Sequence, residues 1–205
     1  MEPLRILFVS SNPHCTARLD LGYEMRELLR SLRGQDVELM PLPAAQREDL
    51  EIAITANEID VLHFSGHATE KDGIILRDTD GMEEAISGPE LRELLKDKNV
   101  KLAFLNACLA GLSSDTRRFQ NVAVQLLQAG LPAVIAMQHE IRDDAAIEFA
   151  QFLYEELVAG SCPGSIDAAV ALARSSLYAL NPGDFSYGTP VLWLNADNGI
   201  VFASD

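Results

Sequence analysis

Apolar and polar positions follow two rhythms along this chain, and the switches between them mark out its elements. LRILFVSS at 4–11 is a near-continuous apolar run rich in β-formers, the pattern of a strand covered on both faces. After Asn12 and Pro13, Leu21, Met25, Leu28, Leu29 and Leu32 recur at helical spacing, and Gly34 stands where a helix would stop. VELMPL at 37–42 predicts a second strand, Arg47 to Asn57 a second helix, and IDVLHF at 59–64 a third strand. In DGIILRDTDGMEEAIS two short apolar runs flank Asp80 and Gly81, a dipeptide suited to a tight hairpin turn. Ser87, Gly88 and Pro89 then open a helix through Leu91, Leu94 and Leu95, with proline near the first helical position, where its missing N–H costs nothing.

KLAFLNA at 101–107 predicts a fourth strand. Residues 109–119 carry Gly, Ser and Asp without periodicity and read as an exposed loop. A helix over VAVQLLQAG, a strand over PAVIAMQ, helices over 143–159 and 165–180, and a strand over 189–195 complete the pattern. Repeated strand-helix alternation predicts one α/β domain over residues 1–205, a mostly parallel sheet with helices on both faces. No internal repeat interrupts it.

Composition narrows the partners. With 205 residues, 48% of them apolar, the chain can bury a real core. Its 31 acids against 16 bases give a formal charge of −15, spread along the whole length, so no basic stripe exists to neutralise phosphates. Nucleic acid and anionic membranes are therefore not expected as partners. The N-terminus lacks a basic run followed by an apolar core, and no apolar stretch approaches the ~18 residues of a membrane span, so a soluble protein is expected. Three cysteines, Cys15, Cys108 and Cys162, without CxxC spacing argue against a disulfide framework and a zinc site, and make a reducing cytoplasm the expected compartment.

In an open parallel sheet, ligands bind beyond the carboxyl ends of the strands. One predicted strand runs into Ser65, Gly66 and His67, another into Asn106, Ala107 and Cys108, which places an imidazole and a thiol just past two such ends. The separation between them suits one hairpin and one crossover helix, and hence neighbouring strands. An adjacent imidazole would take the thiol proton or hold the thiolate as an ion pair. The N–H of Cys108 and one in the turn after His67 would face the oxygen that gains charge in acyl transfer. Gly66 and Gly111 would let backbone approach substrate.

Plainer readings stand beside this one. Cysteine is among the most buried residue types, and Cys108 alone reads equally as a small core residue. His63 and His67 lack the carboxylate of H-E-x-x-H, and His63 lies inside a strand, so no metal is expected and His63 is read as a core or supporting residue. His14 and His139 read as surface residues, Cys15 and Cys162 as structural or incidental. The acids at 70–84 read as a solvated hairpin face, without EF-hand spacing. A nucleotide or flavin binder is the weaker alternative, because no strand is followed by G-x-G-x-x-G or a P-loop; no cofactor is expected.

HFSGHA at 63–68 followed by FLNACLAG at 104–111 resembles the CHAT family of caspase-like cysteine peptidases, relatives of caspases, separases and gingipains. SSNPHCTARLDLGYEMREL, VAVQLLQAGLPAVIAMQHEIRDDAA and GTPVLWL also look like that family, so the resemblance covers nearly the whole chain. It implies a caspase-like sheet, His67 as general base or ion-pair partner, Cys108 as nucleophile, oxyanion donors from the N–H groups of Cys108 and Ala68, and no metal. It further implies an endopeptidase acting on a protein substrate in bacterial signalling or defence. The chain has no room for a sensor module, so control by a separate partner chain is expected, acting through the 109–119 loop or the 70–86 hairpin. The alternative is a catalytically silent module serving as an adaptor. Two positions depart from the family: Ala68 stands where most relatives have glycine, and His139-Glu140 where an apolar residue and proline are usual. By position, Asn106, Asp115 and Gln138 are candidate substrate-pocket residues. Asp115 would favour a basic side chain before the scissile bond, unless it is simply solvated.

Overall fold

The computed structural model describes residues 3–69, 73–109, 118–139 and 141–202. The strands are β1 (Leu4–Ser10), β2 (Val37–Pro43), β3 (Val61–Thr69), β4 (Gly73–Arg77), β5 (Glu83–Ser87), β6 (Leu102–Leu109), β7 (Ala133–Met137) and β8 (Pro190–Leu194). The helices are α1 (Leu21–Ser31), α2 (Arg47–Ala56), α3 (Gly88–Leu95), α4 (Arg118–Gln128), α5 (Asp143–Ala159) and α6 (Ile166–Leu180), with a 3-10 turn at Ser186–Gly188. All belong to one sheet and its covering layers. Its order is β2-β1-β3-β6-β7-β8, with β4 pairing β3 and β5 pairing β4. Neighbours from β2 through β7 run parallel, while β8 and the β4–β5 hairpin pair antiparallel.

Local chemistry sets the boundaries. Asp20 accepts the Tyr23 N–H at 3.1 Å and so caps α1. Ser87 and Glu90 form a reciprocal capping box at α3, with proline in its first turn. In the β4–β5 turn Gly81 has φ +80°, and the Asp78 carboxylate accepts the N–H groups of Asp80 and Met82.

Helices cover both faces. Leu50 and Ile54 of α2, Leu91 and Leu95 of α3, and Val122 and Leu126 of α4 pack on one side with Leu62, Phe64 and Leu105. Leu28 of α1, Phe149 and Leu153 of α5, and Ile166 and Val170 of α6 pack on the other with Phe8, Val61 and Phe104. Among the described residues, no helix is long and apolar enough to cross a membrane.

Two strands run further than their apolar patterns predict. β1 stops at Ser10, level with Ser65, but β4 takes over that edge of β3, pairing Ile75 with His67 and Ile74 with Ala68. On the other edge the β3–β6 ladder continues to Ala68 and Leu109. His67 and Cys108 thus lie within the last residues of their strands rather than past them, and no turn follows His67 directly. Polar residues can occupy strand positions when neighbours on both edges keep the backbone paired.

Candidate active site

Side chains alternate between the faces of a pleated strand. In β3, Leu62 and Phe64 enter the α2/α3/α4 core, whereas Val61 enters the α1/α5/α6 core. His63, Ser65 and His67 therefore share the α1/α5/α6 face. In β6, Leu102 and Phe104 pack on that face, which makes it the face of positions 106 and 108 as well. The ladder pairs Ser65 with Asn106 and His67 with Cys108. The two residues expected to meet are direct cross-strand neighbours on one face.

His67 is only 1% exposed. Its Nε2 lies 2.8 Å from the carbonyl oxygen of Ala17, which can only accept, so Nε2 carries the proton and donates it. In the neutral ring the lone pair then sits on Nδ1, which has no hydrogen-bond partner among the described residues. Burial pushes the His67 pKa below the ordinary histidine value, against the opposing influence of the Ala17 carbonyl and the Glu83 and Asp143 charges. A neutral imidazole with a fixed tautomer and an acceptor unclaimed by any described residue is suited to receive a proton.

The carbonyl that fixes this tautomer comes from the segment between β1 and α1. There the Asn12 amide donates to the Leu19 carbonyl at 3.2 Å, and the His14 N–H donates to the Gly81 carbonyl at 3.0 Å, tying the segment to the β4–β5 hairpin. Ala17 carries no side-chain signal, so its role was invisible in the sequence.

One pleat repeat below His67 lies a buried polar network. Glu24 of α1 is 4% exposed; it accepts a hydrogen bond from the Ser65 hydroxyl and another from the Asn106 amide at 2.8 Å, and lies 3.3 Å from His63 Nε2. His63 Nδ1 is 3.0 Å from the buried Tyr154 hydroxyl, and its ring packs against Phe8 and Phe104 at centroid distances of 4.8 and 4.6 Å. The carboxylate thereby clamps the ends of β3 and β6 together at the level just before the His67–Cys108 pair. Glu24 was missed in the sequence, although a lone acid four residues before Leu28, on the buried stripe of α1, was the available signal.

Glu24, Ser65, Gly66 and Asn106 line a narrow cleft of about 20 Å³, room for about one water-sized sphere, with Asp20 and Asp143 also on its walls. Asn106 is thus at the cleft, as its position implied. Asp115 and Gly111 lie outside the described residues. Gln138 is held by the turn before β8: its amide donates to the Gly188 carbonyl at 2.9 Å, and its N–H to Thr189 at 3.0 Å. Ala68 is absent from the positions with positive φ, so its β-carbon introduces no left-handed strain where glycine is usual. Gly66 has a packing reason to be glycine, since a β-carbon there would stand 2.7 Å from the Ser11 carbonyl oxygen and 2.8 Å from the Phe64 ring. His14 and His139 are exposed, as are the free thiols Cys15 and Cys162. No group of three metal-ligating side chains occurs among the described residues.

This sheet, with a histidine and a cysteine at the ends of adjacent central strands, defines the caspase-like class of folds. Solved structures agree. The chain superposes on the Arg-specific cysteine proteinase gingipain R with a TM-score of 0.62 at 13% identity, covering 96% of this chain and 46% of that one. For the pro-form of caspase-1 the score is 0.58 at 12% identity, covering 94% and 91%, and for Saccharomyces cerevisiae separase, in complex with securin, 0.53 at 15%, covering 94% and 12%. The chain thus spans about half of the gingipain chain. No curated protein sequence matches it. The family model described as CHAT domain matches residues 8–198, and the chain belongs to that family.

Proposed function

We propose that the protein is a cysteine endopeptidase whose nucleophile is Cys108 and whose general base is His67. The observation that supports this best is the direct pairing of His67 with Cys108, combined with a histidine whose Nε2 proton is committed to Ala17 and whose Nδ1 lone pair is unclaimed among the described residues. The Cys108 thiol gives its proton to Nδ1, and the thiolate adds to the carbonyl carbon of a peptide bond. The N–H groups of Cys108 and Ala68 are the donors assigned to the resulting oxyanion. The C–N bond breaks as the departing amine takes the proton from Nδ1, leaving a thioester. Water then gives a proton to Nδ1 and adds to the thioester, and breaking the C–S bond releases the acid and restores the thiol.

Holding base and nucleophile on adjacent strands replaces a chance encounter by a fixed geometry, which is where most of the rate would come from. The test is cleavage of a peptide library derived from whole-cell protein, read as new termini by mass spectrometry. Termini made by the wild type and lost in both Cys108→Ala and His67→Ala support the reading; their persistence in Cys108→Ala overturns the assignment.

We extend the proposal to a bacterial signalling or defence effector in the cytoplasm, governed by a separate partner chain. Family membership and the exposed free thiols, which suit a reducing compartment, support it. A slow isolated chain accelerated by its cognate partner would agree; full turnover by the chain alone would count against partner control.

A further inference from the structure

The stretch 11–20, which brings the Ala17 carbonyl to His67, belongs to no helix or strand: β1 ends at Ser10 and α1 begins at Leu21. Its internal bonds shape its bends. The Asn12 amide donates to the Leu19 carbonyl, and the N–H and hydroxyl of Thr16 both donate to the Pro13 carbonyl, at 3.2 and 2.9 Å, closing a turn over 13–16. None of these bonds reaches the sheet. Ala17 is exposed, as are Cys15 and Arg18. A carbonyl in such a stretch keeps its place only if something rigid holds the stretch.

The tip of the β4–β5 hairpin is that support. His14 donates its N–H to the Gly81 carbonyl at 3.0 Å, and its ring lies so closely over Gly81 that a β-carbon there would stand 2.4 Å from His14 Nε2. Arg77 donates to the same Nε2 at 3.4 Å, and Cys15 Sγ lies 3.9 Å from Met82 Sδ. Gly81 is buried here, although it sits in a turn with φ +80°. The hairpin itself is well anchored. The Arg77 N–H donates to the Ala45 carbonyl at 3.1 Å, and the Arg47 guanidinium of α2 bonds Glu84 and the Ala85 carbonyl of β5 together with Glu90 of α3. One hairpin thus meets His67 twice. Its strand β4 pairs with the His67 backbone at Ile75, and its tip reaches the His67 ring by way of His14 and Ala17.

We propose, building on the peptidase reading, that the β4–β5 tip is a positioning element for the general base: through His14 it holds the Ala17 carbonyl against His67 Nε2. Opening this clasp takes the acceptor from a buried N–H, and the imidazole turns to find another instead of facing position 108. His14 and Gly81 are positioning residues that act through the His67 ring. The same contacts give a partner bound at the hairpin a path to the proton-transfer step.

The test follows iodoacetamide labelling of Cys108 against Cys162 in the full chain, with the tautomer of His67 read by NMR of its ring nitrogens. His14 is the second residue of the 13–16 turn, where proline is favoured, so His14→Pro removes the N–H and spares the turn, whereas His14→Ala keeps the N–H. The proposal expects folded His14→Pro to label Cys108 about ten- to a hundredfold more slowly and to lose the single Nε2–H tautomer, with a smaller loss in His14→Ala and Cys162 unchanged throughout. Gly81→Ala tests the clasp from the hairpin side if His14→Pro fails to fold. Its β-carbon displaces the His14 ring and should slow Cys108, and adding His14→Ala should restore the rate to that of His14→Ala alone, which strain in the turn would not allow. Undiminished labelling with an unchanged tautomer in His14→Pro, or no recovery in the double variant, overturns the clasp and leaves the peptidase reading standing. A wild-type Cys108 that reacts no faster than Cys162 overturns both.

Discussion

The two faces of the sheet are built from the same strands and could hardly differ more. On the α2/α3/α4 face, β3 and β6 present Leu62, Phe64, Ala103 and Leu105 to a dry core. On the α1/α5/α6 face the same strands begin with Val61, Leu102 and Phe104 and then change to His63, Ser65, His67 and Asn106, all buried. Buried polar groups cost free energy unless paired, so a cluster of them at one end of one face is expensive for stability alone. The contrast separates what holds the fold from what the fold is for.

Substitutions on the two faces should therefore fail differently. Glu24→Ala is expected to cost the most, about 3–5 kcal/mol, because the buried Ser65 hydroxyl and Asn106 amide lose their shared acceptor. Chemical denaturation measures that loss, and alkylation kinetics should show an accompanying loss of Cys108 reactivity. On the dry face Leu105→Ala should cost about 2–5 kcal/mol, yet leave the reactivity of Cys108 in the remaining folded protein intact. Parallel loss of reactivity in both variants would erase the distinction between the faces. Next in size, Gly66→Ala should cost about 1–3 kcal/mol by overpacking, since the opposing Ser11 carbonyl is backbone and yields poorly.

The smallest expected effect is a pH dependence. Burial disfavours the charged form of His67, so its folded pKa lies below the unfolded value of about 6.5. Between those two values the unfolded chain binds more protons. Stability is thus full above the unfolded value and falls as pH drops toward the folded one. Thiol reactivity should likewise persist to a lower pH than an ordinary histidine would allow. Urea titrations across this range, compared with His67→Gln, should show the slope vanish in the variant; an unchanged slope would assign it to another group.

The same contrast explains what could be read in the sequence. Runs such as LRILFVSS, and helical stripes such as that over 143–159, declare themselves because a dry core selects one residue class at a fixed period. His67 and Cys108 stood out because polar residues broke those patterns at corresponding places in two strands. Glu24 broke a pattern too, but its stripe was read through its leucines. Ala17 acts through a carbonyl that every residue possesses. The ends of β3 and β6 were placed too early because β4, which keeps β3 paired beyond β1, comes from a hairpin whose docking edge no local pattern reveals.

The central claim, that His67 activates Cys108, is tested most directly within one molecule by measuring alkylation rates of all three cysteines near neutral pH. The exposed Cys15 and Cys162 serve as internal references. The account predicts that Cys108 reacts faster than both in the wild type and loses that lead in His67→Ala, while the references keep their rates. Equal or slower reaction at Cys108, unaltered by the substitution, would contradict it.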